Sequence, residues 1–145
     1  MSLEEKIAPI VTRDVRIIDA ETTVRDAAML MVKEKIGCLV IFSLKGAIGI
    51  VTERDMLRKV TAPGNDPNKM LVREIMSKPL ITTSIHTTVG EAAKLMIKED
   101  IKRLIVTDGD AGFAGLITMT DMVRWMASKE QLSDSLMNYL KYQVV

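Results

Sequence analysis

A chain of 145 residues has room for one ordinary domain, or for two small units that share a core. It is 48% hydrophobic and 27% charged with a formal net charge of +1, the composition of a soluble globular protein with no global attraction to nucleic acid or to an anionic membrane. A single cysteine, Cys38, excludes an internal disulfide, and no apolar run approaches the ~20 residues that span a bilayer.

In chain order, Met1 to Lys6 is too polar for a signal peptide, so the expected location is cytoplasmic. The segment reads as helical from Ser2, with Glu5 completing a cap. Val24, Ala27, Ala28 and Met31 follow the spacing of one buried helical face, with Thr23 and Asp26 as a capping pair. Cys38 to Phe42 and Ala47 to Val51 are short, rich in β-branched residues and bounded by glycine, which predicts buried strands. A helix from Asp55 to Val60 follows, then the turn-rich stretch Thr61 to Asn68 and a short helical turn from Val72 to Met76. The same order returns: a helix holding Val89, Ala92, Ala93 and Met96 behind Thr88 and Glu91, strands at Leu104 to Val106 and Phe113 to Ile117, and a helix from Asp121 to about Ala127. From about Ser128 a C-terminal helix carries Leu132, Leu136 and Leu140.

The chain is therefore an internal repeat. Val24, Ala27, Ala28 and Met31 meet Val89, Ala92, Ala93 and Met96 at an offset of 65; after one extra residue, Gly49, Thr52, Asp55 and Met56 meet Gly115, Thr118, Asp121 and Met122 at 66. Each half reads strand, helix, strand, strand, helix. The division runs 11–62 for repeat one, 63–75 for a linker and short helical turn, 76–127 for repeat two and 128–145 for the C-terminal helix. A piece of about 60 residues buries too little surface to be comfortable alone, so the halves are expected to be fused.

These features resemble the cystathionine β-synthase (CBS) domain family as a tandem pair. The likeness covers nearly everything from Val11 to Ala127 and includes Glu74 to Ser77, Thr87 to Val89, Ile101 to Val106 and both glycine-to-aspartate strand endings. It implies an α/β (α+β) fold of two βαββα repeats packed through their sheets with pseudo-two-fold symmetry, plus terminal helices. It also implies two related clefts that take adenosine compounds (AMP, ADP, ATP or S-adenosylmethionine) with no cofactor required, and association as a homodimer.

A nucleotide site needs acceptors for a ribose diol, an apolar slot for the base and positive charge for phosphate. The Gly-x-x-Thr-x-x-Asp endings can supply the first. The same Thr-x-x-Asp is equally a capping box, and both roles can hold at once. By resemblance, the first cleft joins Thr52, Arg54 and Asp55 to Met76, Ile81, Lys102, Arg103 and Leu104. Met76 and Ile81 would bracket an adenine, Asp55 would hold the ribose, and Lys102 with Arg103 would meet phosphate. Of the two cations Arg103 is preferred, because a guanidinium can grip phosphate in two places. The second cleft joins Thr118 and Asp121 to Val11, Arg16, Gly37, Cys38 and Leu39. There Arg16 stands where the family has an apolar residue, and Gly37 and Cys38 replace the basic pair, which ranks the Asp55 cleft as the stronger candidate.

His86 reads as a solvated loop residue and Cys38 as a small core residue, so no catalytic residue and no metal cluster is expected. With 3% aromatics and 11 methionines, the core is filled by thioethers and branched aliphatics and offers little for base stacking, which disfavours nucleic acid. The expectation is a non-enzymatic ligand-sensing or energy-sensing regulatory module with an unidentified regulated protein partner. The alternative is a structural, dimerising and protein-interaction module with vestigial clefts.

Overall fold

Thr23 and Thr88 start the two long helices predicted from apolar spacing. Each hydroxyl accepts the amide of the residue three ahead, at 3.1 Å for Asp26 and 3.2 Å for Glu91. Those helices anchor a computed structural model that describes residues 3–77 and 80–129 and falls into two units: Asp14–Ile81, and Met1–Arg13 together with Thr82–Val145.

The first unit holds β1 (Ile17–Asp19), α1 (Val24–Glu34), β2 (Cys38–Ser43), β3 (Gly46–Thr52), α2 (Glu53–Met56) and α3 (Val72–Ile75). Its three-stranded sheet has the order β1-β2-β3, with β1 parallel and β3 antiparallel to β2. Val24, Ala27 and Met31 of α1 pack with Leu39 and Ile41 of β2, Val51 of β3, and Val72 and Ile75 of α3 in one buried cluster. α1 ends as its left-handed residue Lys35, at φ 56°, returns its amide to Met31 and Val32. The predicted helix from Asp55 to Val60 begins two residues earlier, at Glu53, and widens after Met56 into a π-helical turn over Leu57–Thr61, where Ala62 N–H donates to Leu57 O at 2.8 Å.

The second unit repeats the pattern with β4 (Thr82–Ser84), α4 (Val89–Glu99), β5 (Arg103–Asp108), β6 (Gly112–Thr118) and α5 (Met119–Lys129). Its sheet order is β4-β5-β6, again with one parallel and one antiparallel pairing. Both halves are thus βαββα, as expected.

The N-terminal segment departs from expectation. Residues 3–6 form no helix; they are turn and an isolated bridge, followed by a 3-10 turn at Ala8–Ile10. The cause is a long-range claim on their backbone. Leu3 O and Glu5 O accept the amides of Gly90 and Val89, both at 2.8 Å, satisfying donors that the first turn of α4 leaves open, and Ile7 N–H donates to Thr87 O at 2.9 Å. The linker does the same for α1: Met70 O accepts Val24 N–H at 2.8 Å, Pro67 O accepts Arg25 N–H at 3.1 Å, and Val72 N–H reaches Thr22 O at 2.9 Å. Glu5 and Met70, Ile7 and Val72, and Ile10 and Ile75 stand 65 apart, so the duplication begins earlier than the first strands. Each unit is completed by the segment that precedes the other unit's repeat in the chain. Ser2 and the stretch predicted as a C-terminal helix, with Leu132, Leu136 and Leu140, lie outside the described residues.

Glu91 accepts the Thr88 N–H at 3.1 Å, and this bond with the Thr88 hydroxyl contact holds its carboxyl below the usual carboxylate range. A depressed folded-state pKa stabilises the fold above the unfolded value and is lost as pH falls through the folded one. The Glu91 carboxyl should therefore titrate below a free glutamate by NMR, and Thr88→Ala should raise that midpoint only part of the way, because the Thr88 N–H, the larger cause, remains.

Candidate functional site

Thr52 ends β3 and caps α2. Its hydroxyl accepts the Asp55 amide at 3.3 Å while Asp55 Oδ2 accepts the Thr52 N–H at 2.9 Å, a complete reciprocal box. Thr118 and Asp121 repeat it at the end of β6, at 3.0 Å and 2.9 Å. The capping reading is therefore correct for both copies. In both, the N-cap amide is held by one carboxylate oxygen, Oδ2, so capping leaves the other available for a second task.

A hydroxyl from the exchanged segment stands beside each box. Ser77 Oγ donates to Asp55 Oδ1 at 3.2 Å, and Thr12 Oγ1 lies 3.5 Å from Asp121 Oδ2. Both segments are tied to the strand by backbone: Ser77 N–H donates to Ile50 O at 2.8 Å, while Thr12 and Leu116 exchange two bonds of 2.8 and 2.9 Å. The repeated glycine of each ending makes room for that segment. A Cβ on Gly49 would meet Met76 Sδ at 2.6 Å, and one on Gly115 would run into the carbonyl oxygen of Thr12 and the side chain of Val11. Thr12 and Lys59 had escaped the sequence reading, which met Ser77 as part of the family likeness and gave it no role; Ser77 and Thr12 stand 65 apart, immediately after Met76 and Val11, and were legible at that offset.

The two carboxylates differ in company. Asp55 is 7% exposed, and its Oδ1 also pairs with Lys59 Nζ at 3.2 Å, while the same ammonium donates to Ile75 O at 2.8 Å. Asp121 is half-buried, and among the described residues its Oδ1 has neither a hydrogen bond nor an ion pair. The residue standing where Lys59 stands is Trp125, 66 further on, and it is buried.

Of the other candidates in the first unit, Met76 lies against Gly49, Ile81 is half-buried and Arg54 is exposed. Leu39 belongs to the buried cluster. Gly37 O accepts the Glu53 amide at 3.1 Å, and Cys38 pairs with Thr52 across β2 and β3. Arg16 is engaged by Asp14 at 3.0 Å and Glu34 at 3.3 Å. In the second unit, Val11 joins Thr12 beside Gly115. Lys102 O accepts the Met119 amide at 2.9 Å, Arg103 pairs with Thr118 across β5 and β6, and Leu104 is fully buried. The basic pair Lys102-Arg103 and the pair Gly37-Cys38 thus hold the same place in their units, at the start of the central strand. Among the described residues no three His, Cys, Asp or Glu side chains could hold a metal, and no helix is long and apolar enough to cross a membrane.

The CBS domain profile matches twice, at residues 7–62 and 72–128, so its starts are also 65 apart. An uncharacterized protein of Methanopyrus kandleri is 36% identical over 119 residues, covering 81% of this chain, which spans only 61% of that relative's length. A CBS-domain protein structure from Burkholderia ambifaria superposes with a TM-score of 0.81 at 28% identity, covering 90% of this chain and 99% of the other. The hexameric CBS-CP12 protein of bloom-forming cyanobacteria gives 0.75 at 34% identity, covering 82% and 66%. With both halves matched, the chain belongs to the CBS domain family as a tandem pair, a regulatory ligand-binding module.

Proposed function

We propose that the ligand is an adenosine compound, AMP, ADP, ATP or an adenosyl species such as S-adenosylmethionine, held through its ribose at a Thr-x-x-Asp ending. The observation that carries this reading is the division of labour within the Asp121 carboxylate: the Thr118 amide occupies Oδ2, and among the described residues Oδ1 has no partner, which leaves it as an acceptor for a ribose hydroxyl. The start of an eleven-residue helix at Thr118 adds a favourable field for ligand charge. Binding would favour one arrangement of the module and pass that preference to a regulated protein partner, which requires different affinities for the two arrangements.

Self-association into a homodimer is part of the proposal. Val32 on α1 and Ile97 on α4 stand at equivalent positions and are 79% and 74% exposed, an apolar duplication that a monomer does not need. In the first unit Val32 borders an open groove of about 490 Å³ lined by Ala28, Met31, Ile36, Met56 and Leu57 together with the charged Lys35 and Glu53. A second copy offers the matching apolar surface, and the cyanobacterial relative is itself an assembly.

Thermal unfolding with each ligand tests the binding. Ligand at 100 times its dissociation constant adds ~2.7 kcal/mol, a rise in Tm of about 5–10 °C for a chain of this size. No shift with any of the four at millimolar concentration would contradict the proposal.

A further inference from the structure

We infer that Lys59 is a built-in occupant of the first repeat's carboxylate, so that the two endings are unequal and Asp121 is the one that takes the ligand hydroxyls. The inference rests on the adenosine reading above and reverses the ranking drawn from the sequence, where the basic pair Lys102-Arg103 favoured Asp55.

Asp55 Oδ1 is the acceptor that capping spares, and the chain fills it twice, with Lys59 Nζ at 3.2 Å and Ser77 Oγ at 3.2 Å. Lys59 is held at both ends of its reach: its ammonium also donates to Ile75 O at 2.8 Å, a carbonyl at the end of α3. The backbone around it is fixed by the π-helical turn over Leu57–Thr61, and Asn65 Nδ2 donates to Lys59 O at 3.0 Å. A ribose diol arriving at Asp55 would have to displace an ammonium from a carboxylate that is 7% exposed, trading an ion pair for a bond from an uncharged donor. A serine hydroxyl can rotate aside; a lysine anchored on a carbonyl cannot do so without leaving that carbonyl unpaired.

None of this applies to the second repeat. Trp125 stands at the equivalent position, carries no charge and has only an indole N–H to donate. Asp121 Oδ1 is left without a partner among the described residues, and Thr12 Oγ1, at 3.5 Å from Oδ2, is the counterpart of Ser77. Among the described residues the same box therefore holds an internal cation in one unit and none in the other.

The test is binding stoichiometry by isothermal titration with AMP, ADP, ATP and S-adenosylmethionine in turn, on the full chain and on Lys59→Met, Asp55→Asn and Asp121→Asn. The methionine keeps most of the lysine stem, and each asparagine keeps an oxygen for the cap; circular dichroism confirms that each variant is folded. The expected result is one site per chain in the unaltered protein, at least a tenfold loss in Asp121→Asn, little change in Asp55→Asn, and a second site in Lys59→Met. Two sites in the unaltered protein, or loss on Asp55→Asn with Asp121→Asn unaffected, would overturn the inference while leaving adenosine binding intact. A stoichiometry that stays at one in Lys59→Met would overturn it likewise. Absence of saturable binding in all four proteins would overturn both readings together.

Discussion

Replacing Gly115 by alanine should destabilise the protein by ~3 kcal/mol or more, whereas the same change at Gly49, its counterpart in the other repeat, should cost only about 1 kcal/mol. The difference lies in what each new methyl group meets. At Gly115 it is the backbone carbonyl of Thr12, followed by the Val11 side chain at 2.7 Å, and the residue's φ of +155° already disfavours a side chain. Thr12 cannot retreat without losing both backbone bonds to Leu116. At Gly49 the obstacle is Met76, whose Sδ would lie 2.6 Å from the new carbon and can turn away by side-chain rotation, leaving its Cβ at 3.2 Å to give by a few tenths of an ångström. In thermal unfolding the Gly115 variant should fall by about 10 °C and the Gly49 variant by about 3 °C. Equal losses would show that the Val11-Thr12 segment yields as easily as a methionine side chain.

Ile75→Ala should cost ~3 kcal/mol, a core-sized loss from a residue that chain order places just before the second repeat. Ile75 is fully buried and packs with Val24, Ala27 and Met31 of α1 and with Leu39, Ile41 and Val51 of the first sheet. Removing its outer carbons leaves a cavity that α3, only four residues long, is poorly placed to close. Ile75→Val should lose about 1 kcal/mol, because one methylene is removed and the shape is kept. Chemical denaturation of both variants reads the effect. A loss within 0.5 kcal/mol for Ile75→Ala would be the behaviour of a surface connection and would contradict the assignment of α3 to the first unit's core.

Local rules made most of the fold legible. Val24, Ala27 and Met31, like Val89, Ala92 and Met96, are buried as their spacing requires, because a helix facing a core leaves little alternative to that period. The strands were legible because β-branched runs bounded by glycine suit a covered sheet. What escaped was the destination of the segments outside those elements. Leu3 and Glu5 carry no local sign that their carbonyls serve the amides of Gly90 and Val89, and a polar run beginning with a serine resembles a helix start. The π-helical turn at Leu57–Thr61 was equally invisible, since Val60 remains buried in either geometry.

The capping geometry of the candidate site was legible, and the company of each carboxylate was not. Thr52, Asp55, Thr118 and Asp121 were picked out by duplication, and each pair does form its box. Charge counting along the strands favoured Asp55, because Lys102 and Arg103 are conspicuous in sequence and Lys59 is one cation among several on a short helix. Only geometry shows that Lys59 reaches both Asp55 and Ile75 O. A sequence search for an i+4 partner of each aspartate, lysine after Asp55 and tryptophan after Asp121, would have raised the question.

Adenosine binding is tested most directly by native mass spectrometry of the purified protein incubated with AMP, ADP, ATP and S-adenosylmethionine in turn. The expected result is a dimer that retains the mass of at least one of these compounds, with the retained mass lost in Asp121→Asn. A protein that carries none of the four at millimolar concentration, in the same spectra that resolve its assembly, would contradict it.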